Sequence, residues 1–457
     1  MLFLFVQGYN MKIVIIGAGS IGFQLAKQLI TEKKDVIIIE QNPRRAKQAI
    51  NQVDCLVINK DGSQAQTLKE AHIETADYLV CVTDSDEVNI VACNFAEQLN
   101  PKICKIARIN NTKYLKNNPQ KQVFPCIDYI INPEEEVSKV ITNTLIHGAS
   151  NGVFIFKNHN IQSLNITVEK SSYFNNKSLK EIKSNIQENF IIGSIFRDRK
   201  IIIPLGDTKI QEGDQICLFT PKNISDSFMK KIGLSKKDFK KIVIVGGSKV
   251  GCFVAEELTK MERSIKIIDK DYEKCKELSE QFPEAIVING DISDESIFDE
   301  EQLNATDLII TTTKNQELNI LTSIYAKHQG VKHAIALTSN SNYGPMANEL
   351  GLDFCINIKK SSVNRILTFL RKGNVKNIYS IFDGTAEVIE STIEGSQSVC
   401  NKPIRKIKLP KDTIILAVNR NNQDYIPDGN FVINPNDHVI TLAKSDSVTK
   451  IEELFTK

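Results

Sequence analysis

The sequence lacks several features that would point to whole classes of protein. No stretch approaches the roughly 18 consecutive apolar residues of a membrane-spanning helix, so we expect that the chain itself does not cross a membrane. Basic and acidic residues nearly balance, at 57 and 55, and this balance does not indicate a nucleic-acid partner. The ten cysteines form no Cys-x-x-Cys pair and no Cys/His ligand spacing. This predicts reduced, mostly buried thiols in a cytosolic protein, and no metal site.

The beginning of the sequence carries no targeting pattern either. Met1–Val6 is apolar, but it is too short for the core of a signal peptide and has no basic residues before it. We therefore interpret residues 1–10 as a disordered lead or as a start assigned too far upstream.

The sequence does contain a strand, a glycine turn and a helix in immediate succession. Lys12–Ile16 has the pattern of a buried strand, and a Gly-x-Gly-x-x-Gly turn and a helical pattern follow it. Gly17 permits the tight turn, Gly19 lets the backbone approach a pyrophosphate, and Gly22 lets the helix pack closely on the strand. The free N–H groups at the start of the helix then face the phosphates.

The next predicted strand ends in an acidic residue. Val36–Ile39 is apolar, and Glu40 follows it where a carboxylate can accept hydrogen bonds from a ribose diol. Strand, turn, helix, strand and acid together predict a dinucleotide-binding Rossmann domain. The alternative is a structural glycine turn with an incidental acid.

The same unit occurs a second time, which indicates an internal duplication. Three pairs match at an offset of 229 residues: Gly17 with Gly246, Gly22 with Gly251 and Glu40 with Asp269. Five more match at an offset of 230: Asp61 with Asp291, Asp77 with Asp307, Thr83 with Thr313, Glu87 with Glu317 and Asn89 with Asn319. This period is far too long for a solenoid, so we interpret the repeat as two copies of a whole module.

Polar residues follow the third, fourth and fifth predicted strands, where ligands of open α/β sheets bind. Asp61 is either a contact for the adenosine end of a nucleotide or the N-cap of the next helix. Thr83 and Asp84 are placed to border the ribose and the phosphates. Arg108 is either a phosphate contact through its planar fork of donors or a solvated arginine at a strand end.

The second copy departs from the fingerprint. Ser248 replaces the middle glycine, and its Cβ stands where the backbone should approach a pyrophosphate. Lys249 either favours a more highly charged mononucleotide or is a surface lysine. We therefore predict weaker dinucleotide binding at the second crevice than at the first. The residues expected at the second crevice are Gly246, Ser248, Gly251, Asp269 and Asp291.

A smaller unit follows each Rossmann unit. Residues 152–220 alternate short predicted strands with turns around one helix, and residues 386–455 repeat that pattern. The predicted fold class is α/β, with two doubly wound parallel-sheet Rossmann domains, each followed by a small α+β domain. The predicted domains are 11–130, 150–224, 240–358 and 374–457. Apolar spacing predicts packing helices at 134–147 and 362–371, and the Lys-rich segment 225–241 predicts a linker helix.

In this order of domains the chain resembles the cytosolic regulatory subunits of Trk potassium-uptake systems, which are built from tandem RCK (KTN) units. The resemblance covers essentially residues 11–457 and depends on the duplication and the domain order as well as on short motifs. The motifs are Gly17-Ala18-Gly19-Ser20-Ile21-Gly22, Asp61-Gly62-Ser63, Val82-Thr83-Asp84-Ser85-Asp86-Glu87-Val88-Asn89, Ile106-Ala107-Arg108, Gly290-Asp291 and Ile414-Ile415-Leu416-Ala417-Val418.

The resemblance implies a cytoplasmic protein, peripheral on the inner face of the cell membrane, that binds NAD(H) and ATP or ADP. It implies a homo-oligomer, a tetrameric ring, beneath a separate membrane-spanning Trk subunit whose potassium flux it sets. Carried over by position, the residues that would line the first nucleotide site are Gly17, Ala18, Gly19, Ser20, Ile21, Glu40, Thr83, Asp84 and Arg108.

The alternative function is an NAD-dependent oxidoreductase. Such an enzyme needs a proton donor or acceptor beside the nicotinamide. None of the six histidines lies in a recognisable catalytic setting or recurs in both copies, and no Tyr-x-x-x-Lys falls on a helix expected to face the crevice. The sequence therefore favours a sensor over an enzyme. It also contains no helix-turn-helix or basic reading helix that would support a DNA partner.

Overall fold

The computed structural model describes residues 11–456 apart from 112–113, 115–123, 148–159, 187, 199, 222–225, 233–238, 371–374, 382–385 and 445–446. The predicted lead, residues 1–10, lies outside the described residues. Among the described residues, no helix is both long enough and apolar enough to cross a membrane. Each of the ten cysteines is a free thiol.

The first domain is a doubly wound parallel sheet, as predicted. Its strands are β1 (Lys12–Ile16), β2 (Asp35–Ile39), β3 (Leu56–Ile58), β4 (Tyr78–Cys81), β5 (Cys104–Arg108) and β6 (Tyr129–Ile131). Its helices are α1 (Ser20–Thr31), α2 (Pro43–Gln52), α3 (Ala65–Glu70) and α4 (Asp86–Leu99). The strand order β3-β2-β1-β4-β5-β6 reverses direction at β1, which pairs with both β2 and β4. Ligands of such sheets bind outside the strand ends at this reversal.

The strands of this sheet are almost continuously apolar because both of their faces are buried. Along β1, Ile13 and Ile15 belong to the core on one face, and Val14 and Ile16 to the core on the other. The sheet is thus the middle layer of three, and its carboxyl edge is left to hold polar residues.

Helix α5 (Pro133–His147) follows β6 and leads to the first small domain. This domain contains β7 (Ile161–Thr167), α6 (Leu179–Ser184), β8 (Ile191–Arg197), β9 (Lys200–Ile202), β10 (Gln215–Pro221) and α7 (Asp226–Lys231). Its antiparallel sheet has the order β7-β10-β8-β9. Of the segment 225–241 predicted to be a linker helix, Asp226–Lys231 is helical and Lys241 is already in the next strand, and residues 225 and 233–238 lie outside the described residues.

The second parallel sheet repeats the first. Its strands are β11 (Lys241–Val245), β12 (Ser264–Asp269), β13 (Ile286–Asn289), β14 (Leu308–Thr311), β15 (His333–Thr338) and β16 (Phe354–Asn357). Its helices are α8 (Lys249–Lys260), α9 (Tyr272–Gln281), α10 (Ser296–Glu300), α11 (Gln316–His328) and α12 (Tyr343–Glu349). The strand order is again reversed at the first strand, β13-β12-β11-β14-β15-β16.

Helix α13 (Ile358–Leu370) then leads to the second small domain. This domain contains β17 (Val375–Ile381), β18 (Ala386–Thr392), β19 (Lys402–Pro403), β20 (Thr413–Arg420), β21 (Gln423–Tyr425), β22 (Val432–Ile433), β23 (His438–Lys444) and α14 (Val448–Thr456). Its main sheet has the order β17-β18-β23-β20-β21, and β19 pairs with β22.

The duplication extends to an individual ion pair, which occurs once in each small domain. Arg197 is bidentate to Asp214, at 2.6 Å for both bonds, and Arg420 is bidentate to Asp437 at 2.8 Å. Both aspartates are buried, and a buried carboxylate needs such a partner. In each copy this pair ties the turn before the last strand to the neighbouring hairpin.

The chain forms two compact units. The helix that follows each parallel sheet belongs, for most of its length, to the unit that contains the other parallel sheet. One unit comprises the described parts of 1–136 and 359–371, and the other those of 137–358 and 372–457. Val137, Ile141 and Leu145 of α5 belong to the core of the second parallel sheet. Four residues of α13 belong to the core of the first: Val363, Ile366, Leu367 and Leu370. Both regions were predicted to be packing helices, but the sequence did not predict which sheet each one covers.

Candidate functional site

A cavity of about 330 Å³ lies at the carboxyl edge of the first sheet. Most of the residues predicted for the first site line this cavity, and Ala18 and Gly22 do not. The lining residues are Ile16, Gly17, Gly19, Ser20, Ile21, Ile39, Glu40, Gln41, Asn42, Arg45, Asp61, Gly62, Val82, Thr83, Asp84, Ser85, Val88 and Arg108.

The glycine turn forms the floor of the cavity. Gly17 has a φ of +101°, which other residues rarely adopt, and a Cβ on Gly22 would lie 1.9 Å from the Gly17 carbonyl oxygen. Gly19 differs, because a Cβ there would meet no atom closer than 3.8 Å. The space above Gly19 is therefore open to a ligand.

Helix α1 begins at this open space without a side-chain cap. Its N-cap residue is Gly19, which has no side chain to accept a hydrogen bond from the first turn. The first N–H groups of a helix need partners, and the helix dipole makes them attractive to anions. This helix start can therefore hold a phosphate group.

Glu40 is bonded to the glycine turn. One carboxylate oxygen accepts a hydrogen bond from the amide of Ala18 at 2.6 Å, and the other accepts one from the amide of Asn42 at 2.7 Å. Each oxygen keeps a second lone pair that can accept a bond from a ligand hydroxyl. The acid that was predicted to hold a ribose is therefore hydrogen-bonded within the chain and fixes the glycine turn.

Two arginines stand over the floor, and sequence reasoning missed one of them. Nη1 of Arg45 is the atom nearest to a Cβ on Gly19, at 3.8 Å, and Arg108 lines the same cavity from the end of β5. Asp84 lies between the guanidinium groups, 2.9 Å from Nη1 of Arg108 and 3.7 Å from Nη1 of Arg45. A usable signal was present, because Arg44 and Arg45 are basic residues in the first turn of a helix, where the dipole disfavours them.

Asn89 organises the loop after β4, which sequence reasoning did not foresee. Its fully buried carboxamide accepts bonds from the Thr83 amide and hydroxyl at 3.1 and 2.7 Å. It donates to the carbonyl oxygens of Thr83 and Arg108 at 3.2 and 2.8 Å. One side chain therefore holds the ends of β4 and β5 together. The buried carboxylate of Asp86 supports the same edge by accepting from the amides of Asn110 and Asn111.

Asp61 lines the cavity but does not cap α3. Gln64 occupies the N-cap position, and Asp61 accepts instead from the amide and hydroxyl of Ser63, at 2.9 and 2.8 Å. The capping alternative is wrong because the chain makes a tight turn at Asp61-Gly62-Ser63 before the helix begins.

The second crevice has the same backbone plan with different side chains. Asp269 accepts from the Gly247 amide at 2.6 Å, as Glu40 does from Ala18. Ser248 accepts from the amide of Gly251 at 3.2 Å, so the start of α8 already has a side-chain cap. Asp291 accepts from the Ser293 amide at 3.0 Å in the same type of turn as Asp61.

The second crevice also lacks the arginine pair. Asn319 donates to the carbonyl of Leu337 at 2.9 Å, just as Asn89 donates to Arg108, so Leu337 stands where Arg108 stands. At the repeat offsets of 229 and 230 residues, Lys274 corresponds to Arg45, Lys314 to Asp84 and the buried Ile292 to Gly62. The second crevice therefore has a capped helix start and no arginine at the positions that correspond to Arg45 and Arg108.

Glu87, near the first crevice, is hydrogen-bonded within the protein. Its own backbone amide, together with the Ser85 hydroxyl that donates to it at 2.8 Å, holds the pKa of Glu87 below the usual range. In the part of the chain that the structure describes, no group of three His, Cys, Asp or Glu side chains is arranged to hold a metal ion.

Comparisons with known proteins match the whole arrangement. The model of the TrkA-N domain matches residues 13–133 and 242–358, and that of the TrkA-C domain matches 164–233 and 388–456. The Trk system potassium uptake protein TrkA homolog 1 of Methanosarcina mazei is 30% identical over 452 residues, with 97% of this chain and 100% of that protein covered. Trk system potassium uptake protein TrkA of Haemophilus influenzae is 31% identical over 457 residues, with 97% and 98% covered.

Solved structures match the fold over nearly the full length. The GsuK RCK domain aligns with a TM-score of 0.60 at 16% identity, covering 98% of this chain and 96% of that one. The GsuK channel bound to NAD aligns with a TM-score of 0.61 at 16% identity, covering 98% of this chain and 80% of that one.

Proposed function

This chain belongs to the TrkA family of Trk system potassium uptake proteins, and we propose that it is the nucleotide-binding regulatory subunit of such a system. In this proposal it binds NAD(H) and ATP or ADP and sets the potassium flux of a separate membrane-spanning subunit. It acts from the cytoplasmic face of the membrane, as a ring of identical chains. The GsuK channel bound to NAD, whose fold this chain shares, is consistent with a nucleotide ligand.

The proposal that the chain binds a nucleotide rests on the difference between the N-termini of helices α1 and α8. Helix α1 has no side-chain cap, has open space above Gly19, and has Arg45 and Arg108 nearby. These residues fit a diphosphate, because amide N–H groups and guanidinium forks are its usual ligands. Ser248 caps the corresponding start of α8. The first crevice is therefore the expected primary site for dinucleotides and adenine nucleotides.

The proposed mechanism is a shift between two conformations. Helices α5 and α13 directly follow the two parallel sheets and lead to the small domains, so a ligand at a sheet edge can favour one arrangement of the chain. A ligand shifts such an equilibrium only if it binds the two states with different affinity. Changing the partner from mostly closed to mostly open needs about 10²- to 10⁴-fold differential binding, or about 3–5.5 kcal/mol, which several sites in a ring could share.

The test compares the chain alone with the chain bound to its transporter. Membranes of the source cell are solubilised, the retained transporter is identified, and ATP, ADP and NADH are titrated into both samples. Differential affinity for at least one nucleotide is expected. Identical affinities of all three for both samples would contradict the gating mechanism, and failure to retain any potassium transporter would contradict the partner.

The oxidoreductase alternative has a direct test as well. Among the described residues that line the first cavity there is no histidine, tyrosine or lysine to transfer a proton beside a nicotinamide. We expect NADH to raise the melting temperature of the purified chain without being consumed in the presence of candidate carbonyl substrates. Turnover of NADH would instead favour the enzyme.

A further inference from the structure

Asp84 occupies the place between the two arginines of the first crevice. Its carboxylate lies 2.9 Å from Arg108 and 3.7 Å from Arg45, and its side chain is 74% exposed. The Arg108 guanidinium is only 19% exposed and also donates to Asn110 at 3.0 Å. An exposed carboxylate therefore lies beside two guanidinium groups that line the cavity.

This position conflicts with a role as a direct contact to phosphate. A carboxylate accepts hydrogen bonds but donates none, so it cannot bond to a phosphate oxygen. A phosphate that takes the arginine donors must displace Asp84 or share them with it, and the two anions then repel each other.

The second crevice provides an internal comparison. Where the first has Arg108, the second has Leu337, and where the first has Asp84, the second has Lys314. The acid accompanies the arginine pair in one copy, and both are missing from the other. This pattern is expected if Asp84 compensates the charge of the two arginines and is not required for the structure of the glycine turn.

We propose that Asp84 is a built-in competitor for the phosphates, which occupies the arginine pair in the free chain and makes affinity depend on phosphate charge. The inference rests on the proposed nucleotide binding at this crevice. In this proposal Asp84 lowers the affinity of anions that bind through Arg45 and Arg108, and it does not affect contacts to the base and the ribose. Removing its charge should therefore strengthen binding most for the nucleotide with the most negative phosphate chain.

The experiment titrates adenosine, AMP, ADP and ATP into the full chain in EDTA at low ionic strength. For Asp84→Asn we expect ATP to bind about 3- to 10-fold more tightly, ADP to gain less, and adenosine to change less than about 2-fold. The gain should shrink at high salt because the groups are exposed, and it should shrink in an Arg45→Gln background.

Asp35→Asn is the matched control. It removes the same charge from an exposed residue at the amino end of β2, about 13 Å along the strand from the residues that line the cavity. We expect Asp35→Asn to cause no increase in nucleotide affinity that grows with the number of phosphates.

Other outcomes overturn specific claims. If the original chain binds ATP and Asp84→Asn binds it equally or more weakly, the competitor is excluded. Weaker binding would instead make Asp84 a direct contact. A gain of equal size for adenosine and ATP also excludes it. If neither the original chain nor any variant binds a nucleotide, the proposed function fails, and this inference fails with it.

Discussion

The Glu40 carboxylate accepts a 2.6 Å hydrogen bond from the Ala18 amide and so joins the end of β2 to the glycine turn. Asp269 and Gly247 repeat this bond at 2.6 Å in the second copy. Because the acid is held at the turn, one connected group of residues would position both a ribose at Glu40 and a diphosphate above Gly19 in the proposed nucleotide complex. Both copies thus retain the same anchor, although their crevices differ.

Replacing Glu40 by Gln should reduce the preference for NADH over NADPH. The carboxylate can accept hydrogen bonds from the ribose hydroxyls and repels a 2′-phosphate. The neutral amide of glutamine is a weaker acceptor for those hydroxyls and repels a 2′-phosphate less. We expect the original chain to bind NADH at least about tenfold more tightly than NADPH, and Glu40→Gln to narrow this ratio several-fold. Isothermal titration with both ligands measures it. Asp269→Asn is the control, and a ratio changed by that variant alone would contradict the assignment.

Arginine substitutions should separate the two crevices. Gly19→Arg fills the open space above the uncapped helix, so we expect it to lower the affinity for NADH and ATP at least about tenfold. Ser248→Arg changes a position that already has a side chain and a cap, so its effect should be clearly smaller. Titration of both variants with both ligands is the measurement. Equal losses from the two changes would show that the crevices contribute alike.

Removal of the Asn89 carboxamide should cost both stability and binding. Asn89→Ala leaves the part-buried Thr83 and Arg108 backbone groups without this partner, and we expect a loss of about 2–4 kcal/mol in the free energy of unfolding. Asn319 makes the corresponding bonds in the second copy, so Asn319→Ala should destabilise similarly. Calorimetry compares their stabilities.

Nucleotide titration then distinguishes the two variants. Only Asn89→Ala should weaken ATP binding strongly, because Asn89 joins the loop that carries Thr83 and Asp84 to the end of β5, which carries Arg108. Equal weakening by Asn319→Ala would contradict the assignment of the first crevice as the primary site.

Asp353 should make the second parallel-sheet domain sensitive to acid. Burial alone would raise the pKa of Asp353, but hydrogen bonds from His333, Lys327 and the Ala334 amide outweigh burial and lower the pKa to about 2. A carboxyl with a pKa depressed from about 3.9 contributes about 2–3 kcal/mol of stability that is fully present above pH 4–5. This contribution is lost as the pH falls towards 2.

The corresponding measurement is the free energy of unfolding between pH 6 and 2.5. Asp353→Asn should be destabilised near neutral pH, and its difference from the original chain should shrink below pH 4. Asp299→Asn, an exposed acid in the same domain, should show almost no such dependence. A difference for Asp353→Asn that stays constant down to pH 2.5 would argue against the ion-pair cluster.

Much of the fold was predictable because the signals are local and occur twice. Apolar runs, glycine turns and acids at fixed spacing define the strands and the first helix of each Rossmann domain. Since parallel strands place their carboxyl ends at one edge, the topology alone gathers Gly19, Glu40, Thr83 and Arg108 at one cavity. The duplication was equally readable, because both copies keep Asp77 and Asp307 as acceptors for the amide that begins the first strand.

The sequence by itself determined the order of domains, the two glycine turns and the edge of the sheet where polar residues meet. Only the tertiary structure decided that Arg45 stands over Gly19, that Asp84 lies between two arginines, and which sheet each connecting helix covers. The reason is physical. Periodicity and turn chemistry depend on neighbours a few residues away, whereas these contacts depend on side-chain directions and on packing between segments far apart in the chain.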